Sequence, residues 1–64
     1  MDNQLYSPSR TAEILCVATA TLRKWRWEGN GPSYVKIGRK IAYRQIDINN
    51  FIEARIRIST SENR

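Results

Sequence analysis

Gly29-Asn30-Gly31-Pro32 constrains this chain more than any other stretch, because no helix can run through it. Glycine is entropically unfavourable inside a helix and proline brings no amide hydrogen, so the backbone must change structure here. It is the one real linker in the sequence, and the residues on its two sides follow different periods.

Ahead of the break, Leu5 and Tyr6 lead into Ser7-Pro8, where Ser7 can accept from the free amides of a helix start and Pro8 has the φ suited to the first helical position. Ala12, Ile14 and Leu15 make an apolar side against polar Arg10, Thr11 and Glu13, which predicts a helix from about Pro8 to Leu15. Cys16-Val17-Ala18 interrupts the pattern, and a second helix is predicted from about Thr19 to Trp27. Helices this short do not persist alone in water. Two of them about three residues apart have the spacing of a helix-turn-helix, whose second helix is left exposed to enter a groove.

Beyond the break, Ser33-Tyr34-Val35-Lys36-Ile37 and Lys40-Ile41-Ala42-Tyr43-Arg44 alternate in polarity, are rich in β-branched and aromatic residues, and flank Gly38-Arg39. A two-residue loop opening on glycine suits a type II′ or I′ turn and hence a β-hairpin. From Gln45 to about Arg57, the residues Ile48, Phe51, Ile52 and Ile56 recur at helical spacing, with Asp47 near the start and Arg55 and Arg57 near the end to suit the helix dipole. The expected fold is α+β: a small winged helix-turn-helix of three short helices, with a two-stranded β-hairpin wing between the second and third. Residues 1–58 are expected to form the domain, and residues 59–64, with nothing to bury, a disordered tail.

A chain of 64 residues supports one small core and no deep catalytic cleft. Cys16 is the only cysteine and histidine is absent, so neither an internal disulfide nor a zinc set is available. Glu13, Glu28, Asp47 and Glu53 are scattered, and no serine or threonine has a histidine to activate it. No enzyme activity, metal or cofactor is therefore expected. No apolar run approaches the roughly 20 residues of a membrane span, and MDNQLYSPSR lacks the apolar stretch of a signal peptide, so a cytoplasmic protein with no membrane partner is expected. Eleven Lys+Arg against six Asp+Glu give a formal charge of +5. That balance suits a polyanionic partner, because each neutralised phosphate releases a condensed counterion; plain solubility is the alternative.

Position decides between them. At about 100° per residue, Leu22 and Trp25 fall on the core side of the second helix, with Val17 able to join them. Ala20, Arg23, Lys24 and Trp27 fall opposite, flanked by Thr19 and Arg26, with Thr21 at the boundary. Arg23 can pair bidentately with O6 and N7 of a guanine, while Thr19 and Ala20 can approach a thymine methyl. The alternative is a solvated basic face. Trp27 is expected to pack under the hairpin or Pro32, the alternative being stacking on a sugar or phosphate. On the hairpin the candidates are Gly38 at the turn and the four cations Lys36, Arg39, Lys40 and Arg44, whose mutual repulsion phosphate relieves better than water does. Cationic side chains also protect an exposed strand edge, but the tip residue Arg39 is better explained by reach into a minor groove. Cys16, in an apolar turn, reads as a buried thiol.

Taken jointly, Leu5-Tyr6-Ser7, Ala12-Glu13-Ile14-Leu15, Val17 with Thr21-Leu22-Arg23-Lys24-Trp25, Gly31-Pro32, Lys36-Ile37-Gly38-Arg39, Tyr43-Arg44, Asp47-Ile48 and Phe51-Ile52 resemble the MerR-like "helix-turn-helix 17" group. That group includes excisionase-family and AlpA-like phage regulators, and the resemblance covers about residues 5 to 54. It implies a second helix in the major groove of double-stranded DNA and a hairpin on the adjacent minor groove or backbone. Two departures stand out: Ala18 where the group usually has a capping serine or threonine, leaving Thr19 as an alternative cap, and Cys16 where it commonly has glycine.

The function implied first is that of an excisionase, or recombination directionality factor, which binds repeated sites beside the attachment site of a phage or mobile element, bends the DNA and assists a tyrosine integrase. An AlpA-like transcriptional regulator is the alternative. A protein-interaction module acting through Arg55-Ile56-Arg57-Ile58 is a more distant one. The partners implied are double-stranded DNA, an integrase and further copies on adjacent sites. No small-molecule effector is expected, since these residues hold no effector domain or long dimerisation helix.

Overall fold

Ser7 opens the first helix in the computed structural model, which describes residues 4–56. Its Oγ accepts from the Arg10 amide at 3.1 Å, and Pro8 takes the first position of α1 (Pro8–Leu15). The helix closes on Cys16, whose backbone is left-handed at φ 61°. There the Cys16 amide donates to the Glu13 carbonyl at 3.1 Å and the Val17 amide to the Ala12 carbonyl at 2.9 Å, the paired bonds of a Schellman closure. The turn delivers the chain into α2 (Thr19–Glu28) through Ala18, which is extended and supplies no side-chain cap. Thr19 is thus the first helical residue rather than the cap. α2 closes as α1 does, on left-handed Gly29, with the Asn30 amide reaching the Trp25 carbonyl at 2.8 Å.

After the break, β2 (Val35–Ile37) and β3 (Lys40–Arg44) pair antiparallel with Ile37 opposite Lys40, leaving Gly38-Arg39 as the loop. Gly38 has φ 62° while Arg39 keeps an ordinary negative φ, which selects the type II′ turn of the two left open. β2 is shorter than the pattern suggests: Ser33 and Tyr34 lie outside it. α3 (Gln45–Arg55) follows β3 without a loop, and Ile56 leaves it in extended backbone, so the helix ends at Arg55 and not at Arg57. The expected tail, 59–64, lies outside the described residues.

The sheet has one strand more than the expected two. β1 (Leu5–Tyr6) pairs antiparallel with β3, Leu5 opposite Arg44 and Tyr6 opposite Tyr43, giving the order β1-β3-β2. Two residues carry no period of their own, so this strand exists only through its partners. The Gln45 amide donates to the Gln4 carbonyl at 2.9 Å, and the Tyr6 hydroxyl donates to Gln45 Oε1 at 2.6 Å. The architecture is a small α+β winged helix-turn-helix with the wing anchored at its base by β1. No helix among the described residues is long and apolar enough to cross a membrane.

Ala12, Leu22, Tyr43 and Ile48 form the buried centre, with Tyr6, Ile14, Leu15, Val17, Trp25 and Ile41 packed around it. Each helix and β3 thus contributes one fully enclosed apolar side chain. Thr11 departs from the expected polar side: it is fully buried, because its Oγ1 donates to the Ser7 carbonyl at 2.8 Å and leaves no hydroxyl unsatisfied. Cys16 departs the other way, being exposed and not buried, since Val17 takes the inward position after the left-handed turn. On α3 only Ile48 is enclosed; Phe51 is half-buried, Ile52 is 38% exposed, and Ile56, just past the end of the helix, is 53% exposed.

Candidate nucleic-acid interface

The orientation of α2 is set from inside. Leu22 is fully buried, and Trp25 lies against both the core and Phe51, with ring centroids 5.5 Å apart. Gly31 abuts the same indole so closely that a Cβ there would come within 2.9 Å of Trp25 Cβ. The loop after α2 is therefore pressed onto Trp25, and the opposite side of the helix is left open.

That open side carries Thr19, Ala20, Arg23, Lys24 and Trp27, all exposed, while Thr21 is half-buried at the edge. Ala20 to Trp27 spans about 10 Å of helix at 1.5 Å per residue. Trp27 is 89% exposed, a correction to the expected packing under the hairpin or Pro32. The reason is angular: Trp27 lies about 200° round the helix from Trp25, so when Trp25 occupies the loop contact Trp27 must face away.

Arg26 differs from its neighbours. It is half-buried, donates from Nη1 to the Tyr43 hydroxyl at 2.8 Å, and holds its guanidinium 6.0 Å from the centre of the Tyr34 ring. Arg26 therefore faces the wing and not the open side. Tyr34, absent from the sequence-based set, is brought to the same place, 42% exposed and 6.1 Å from Tyr43 ring to ring. Its signal in the sequence was faint: an aromatic two residues past Pro32, in register with Lys36.

The wing residues divide by face. Opposed residues of an antiparallel pair share a face, so Lys36 with Ile41 lies on the side that Tyr43 turns to the core, while Lys40 and Arg44 lie on the other side. Gly38 and Arg39 are exposed at the tip. Arg44 is about 13 Å along β3 from Lys40 at 3.3 Å per residue, at the base of the wing. Its Nε and Nη2 donate to the two Asp47 carboxylate oxygens at 2.6 and 2.9 Å. These bonds hold the Asp47 carboxyl below the usual aspartate range and raise the guanidinium further. Among the described residues, Arg23, Lys24, Lys36, Arg39 and Lys40 make no ion pair.

Between Thr19 and Arg44 the chain places seven of its eleven cationic residues and only one of its six acids, Glu28. Exposed cations that make no ion pair among the described residues, on a helix face and on a hairpin, suit a polyanionic partner. The family model described as a helix-turn-helix domain matches residues 5–61, and it is the helix-turn-helix 17 group found in excisionase-like and AlpA-like proteins. No curated protein matches the chain.

Proposed function

Because the chain belongs to this helix-turn-helix domain family of DNA-binding proteins, we propose that it is a sequence-specific DNA-binding protein working as an excisionase. On this reading residues 1–58 form the DNA-binding unit, acting in the cytoplasm on repeated short sites beside the attachment site of a phage or mobile element. Further copies bind side by side there, and an integrase is the partner whose excision reaction the bent DNA assists.

The observation that carries the DNA reading is that the exposed cations of α2 and of the hairpin, Arg23, Lys24, Lys36, Arg39 and Lys40, make no ion pair among the described residues, in a stretch from Thr19 to Arg44 that holds one acid, Glu28. α2 enters the major groove with Arg23 toward base edges and Thr19 and Ala20 beside them. Thr21 and Lys24 meet flanking phosphates, Trp27 stacks on sugar at the far end of the helix, and Lys36, Arg39 and Lys40 follow the adjacent backbone and minor groove around Gly38. Arg26 and Arg44 are held inside the protein's own contacts and act on DNA only where these place them.

The test is binding to fluorescent duplexes that tile the DNA around the protein's own gene and any neighbouring integrase gene, titrated at several salt concentrations beside scrambled duplexes. A fragment bound at least about 1,000-fold more tightly than its scramble supports sequence-specific recognition. Uniform, steeply salt-dependent binding refutes it. Stimulation of integrase-mediated excision on the bound fragment then supports the excisionase reading, whereas control of a promoter on that fragment without any effect on excision assigns a transcriptional regulator instead.

A further inference from the structure

The loop from Gly29 to Ser33, with Arg26 and Tyr34 on either side of it, encloses an open cavity of about 310 Å³ between the end of α2 and the start of β2. Arg26 supplies the only charged side chain on its lining. Of the five guanidinium donors, one is spent on the Tyr43 hydroxyl, and no carboxylate among the described residues takes any of the others. Tyr43 is fully buried, so its hydroxyl is a fixed anchor, and the Tyr34 ring flanks the same guanidinium. Arg26 is thus pre-positioned, with most of its hydrogen-bonding capacity taken up by no other group among the described residues. The loop offers more of the same: the amides of Gly31 and Ser33 donate to no acceptor among the described residues. Asn30 gives one of its two side-chain amide hydrogens to Glu28 at 3.3 Å.

Placement identifies the ligand. A helix in the major groove and a hairpin on the neighbouring minor groove stand on either side of one sugar-phosphate strand, which is the ridge separating those grooves. The cavity lies at the junction of the helix and the hairpin, where that ridge must pass. We propose that it is a socket for a single backbone phosphodiester of the bound DNA, gripped by the fork of Arg26 and flanked by the Tyr34 hydroxyl, with Tyr43 as the residue that positions the guanidinium. A planar fork suits two phosphate oxygens at once, which a lysine ammonium cannot match. The proposal rests on the DNA-binding reading and adds to it a contact that fixes the register of helix and wing on the duplex.

The test is a methylphosphonate scan of the tightest-binding duplex from the tiling experiment, with the charge of one phosphate removed at a time. For the wild type, neutralising one particular phosphate should weaken binding about tenfold, the scale of a lost charge-assisted hydrogen bond. Arg26→Gln should weaken binding to the unmodified duplex by a similar factor, become indifferent to that one methylphosphonate, and stay sensitive to the others. Its salt slope should fall by about one. Tyr34→Phe should show a smaller loss at the same phosphate, and it carries the test alone if Arg26→Gln does not fold. A folded Arg26→Gln or Tyr34→Phe that keeps the wild-type scan at every position overturns the socket while leaving DNA binding intact. A wild type that prefers no duplex over its scramble overturns the DNA-binding reading first, and the socket with it.

Discussion

Replacing Cys16 with glycine is expected to make the protein more stable, by an amount that follows from its backbone. Cys16 sits at φ 61° and ψ 39°, a conformation in which the Cβ of an L-residue crowds the following carbonyl at a cost of about 1–2 kcal/mol. Glycine avoids that crowding but loses about 0.5–1 kcal/mol more chain entropy on folding. The Cys16 side chain is exposed, so its removal sacrifices little packing, and both bonds of the Schellman closure come from backbone amides that glycine retains. The net gain is about 0.5–1 kcal/mol, or about 2–8 °C in Tm for a domain of this size. Thermal melts followed by circular dichroism under reducing conditions, on wild type, Cys16→Gly and Cys16→Ala, measure it. Alanine keeps the strain and should melt close to wild type. A glycine variant that melts no higher than the alanine variant would refute the claim that the turn between the helices is held against the preference of its residue. Because the turn geometry is unchanged, DNA affinity should be the same in both variants.

Gly31→Ala should destabilise by about 1–3 kcal/mol, since its Cβ meets Trp25 at 2.9 Å in a left-handed backbone, whereas Gly29→Ala, with open space around it, should cost only about 1 kcal/mol; urea midpoints compare the two. Arg23→Ala should cost about 1–3 kcal/mol at the preferred site and relax base preference there, while Arg39→Ala should weaken all sequences more evenly and lower the salt slope. Identical behaviour of those two variants would refute the division between helix and wing. The Asp47 carboxyl is depressed by hydrogen bonds from Arg44, so its stabilisation is complete above the unfolded aspartate value near about 4 and is lost as pH falls through its lower folded value. Melts between pH 7 and pH 2 should therefore show wild type losing more of its Tm below about pH 4 than Asp47→Asn does.

Much of the fold was legible because its signals are local. Ser7-Pro8 caps a helix whatever surrounds it, Gly29 accepts a left-handed backbone, and Gly38-Arg39 fits a two-residue turn. The core side of α2 follows from the angular spacing of Leu22 and Trp25 alone, and the grouping of cations on the helix and hairpin is visible in the sequence. The misreadings share a cause. Polarity alone puts Thr11 on the outer side, yet a carbonyl one turn back satisfies its hydroxyl and lets it be buried. The apolar neighbours of Cys16 suggest a buried thiol, although the closing turn gives the inward place to Val17. Packing of Trp27 under the hairpin or Pro32 fails because a single loop can press on only one face of α2, and Gly31 presses on Trp25.

The sequence by itself determined the order and kind of the main elements, the break between them, and the two cationic stretches, since each depends on residues within a few positions of one another. Only the tertiary structure decided that Leu5–Tyr6 becomes a strand against β3, that Tyr43 reaches across 17 residues to hold Arg26, and that Arg26 and Tyr34 meet at the junction of helix and wing. Such pairings depend on which distant side chains are brought within about 3–6 Å, and no local period encodes that distance.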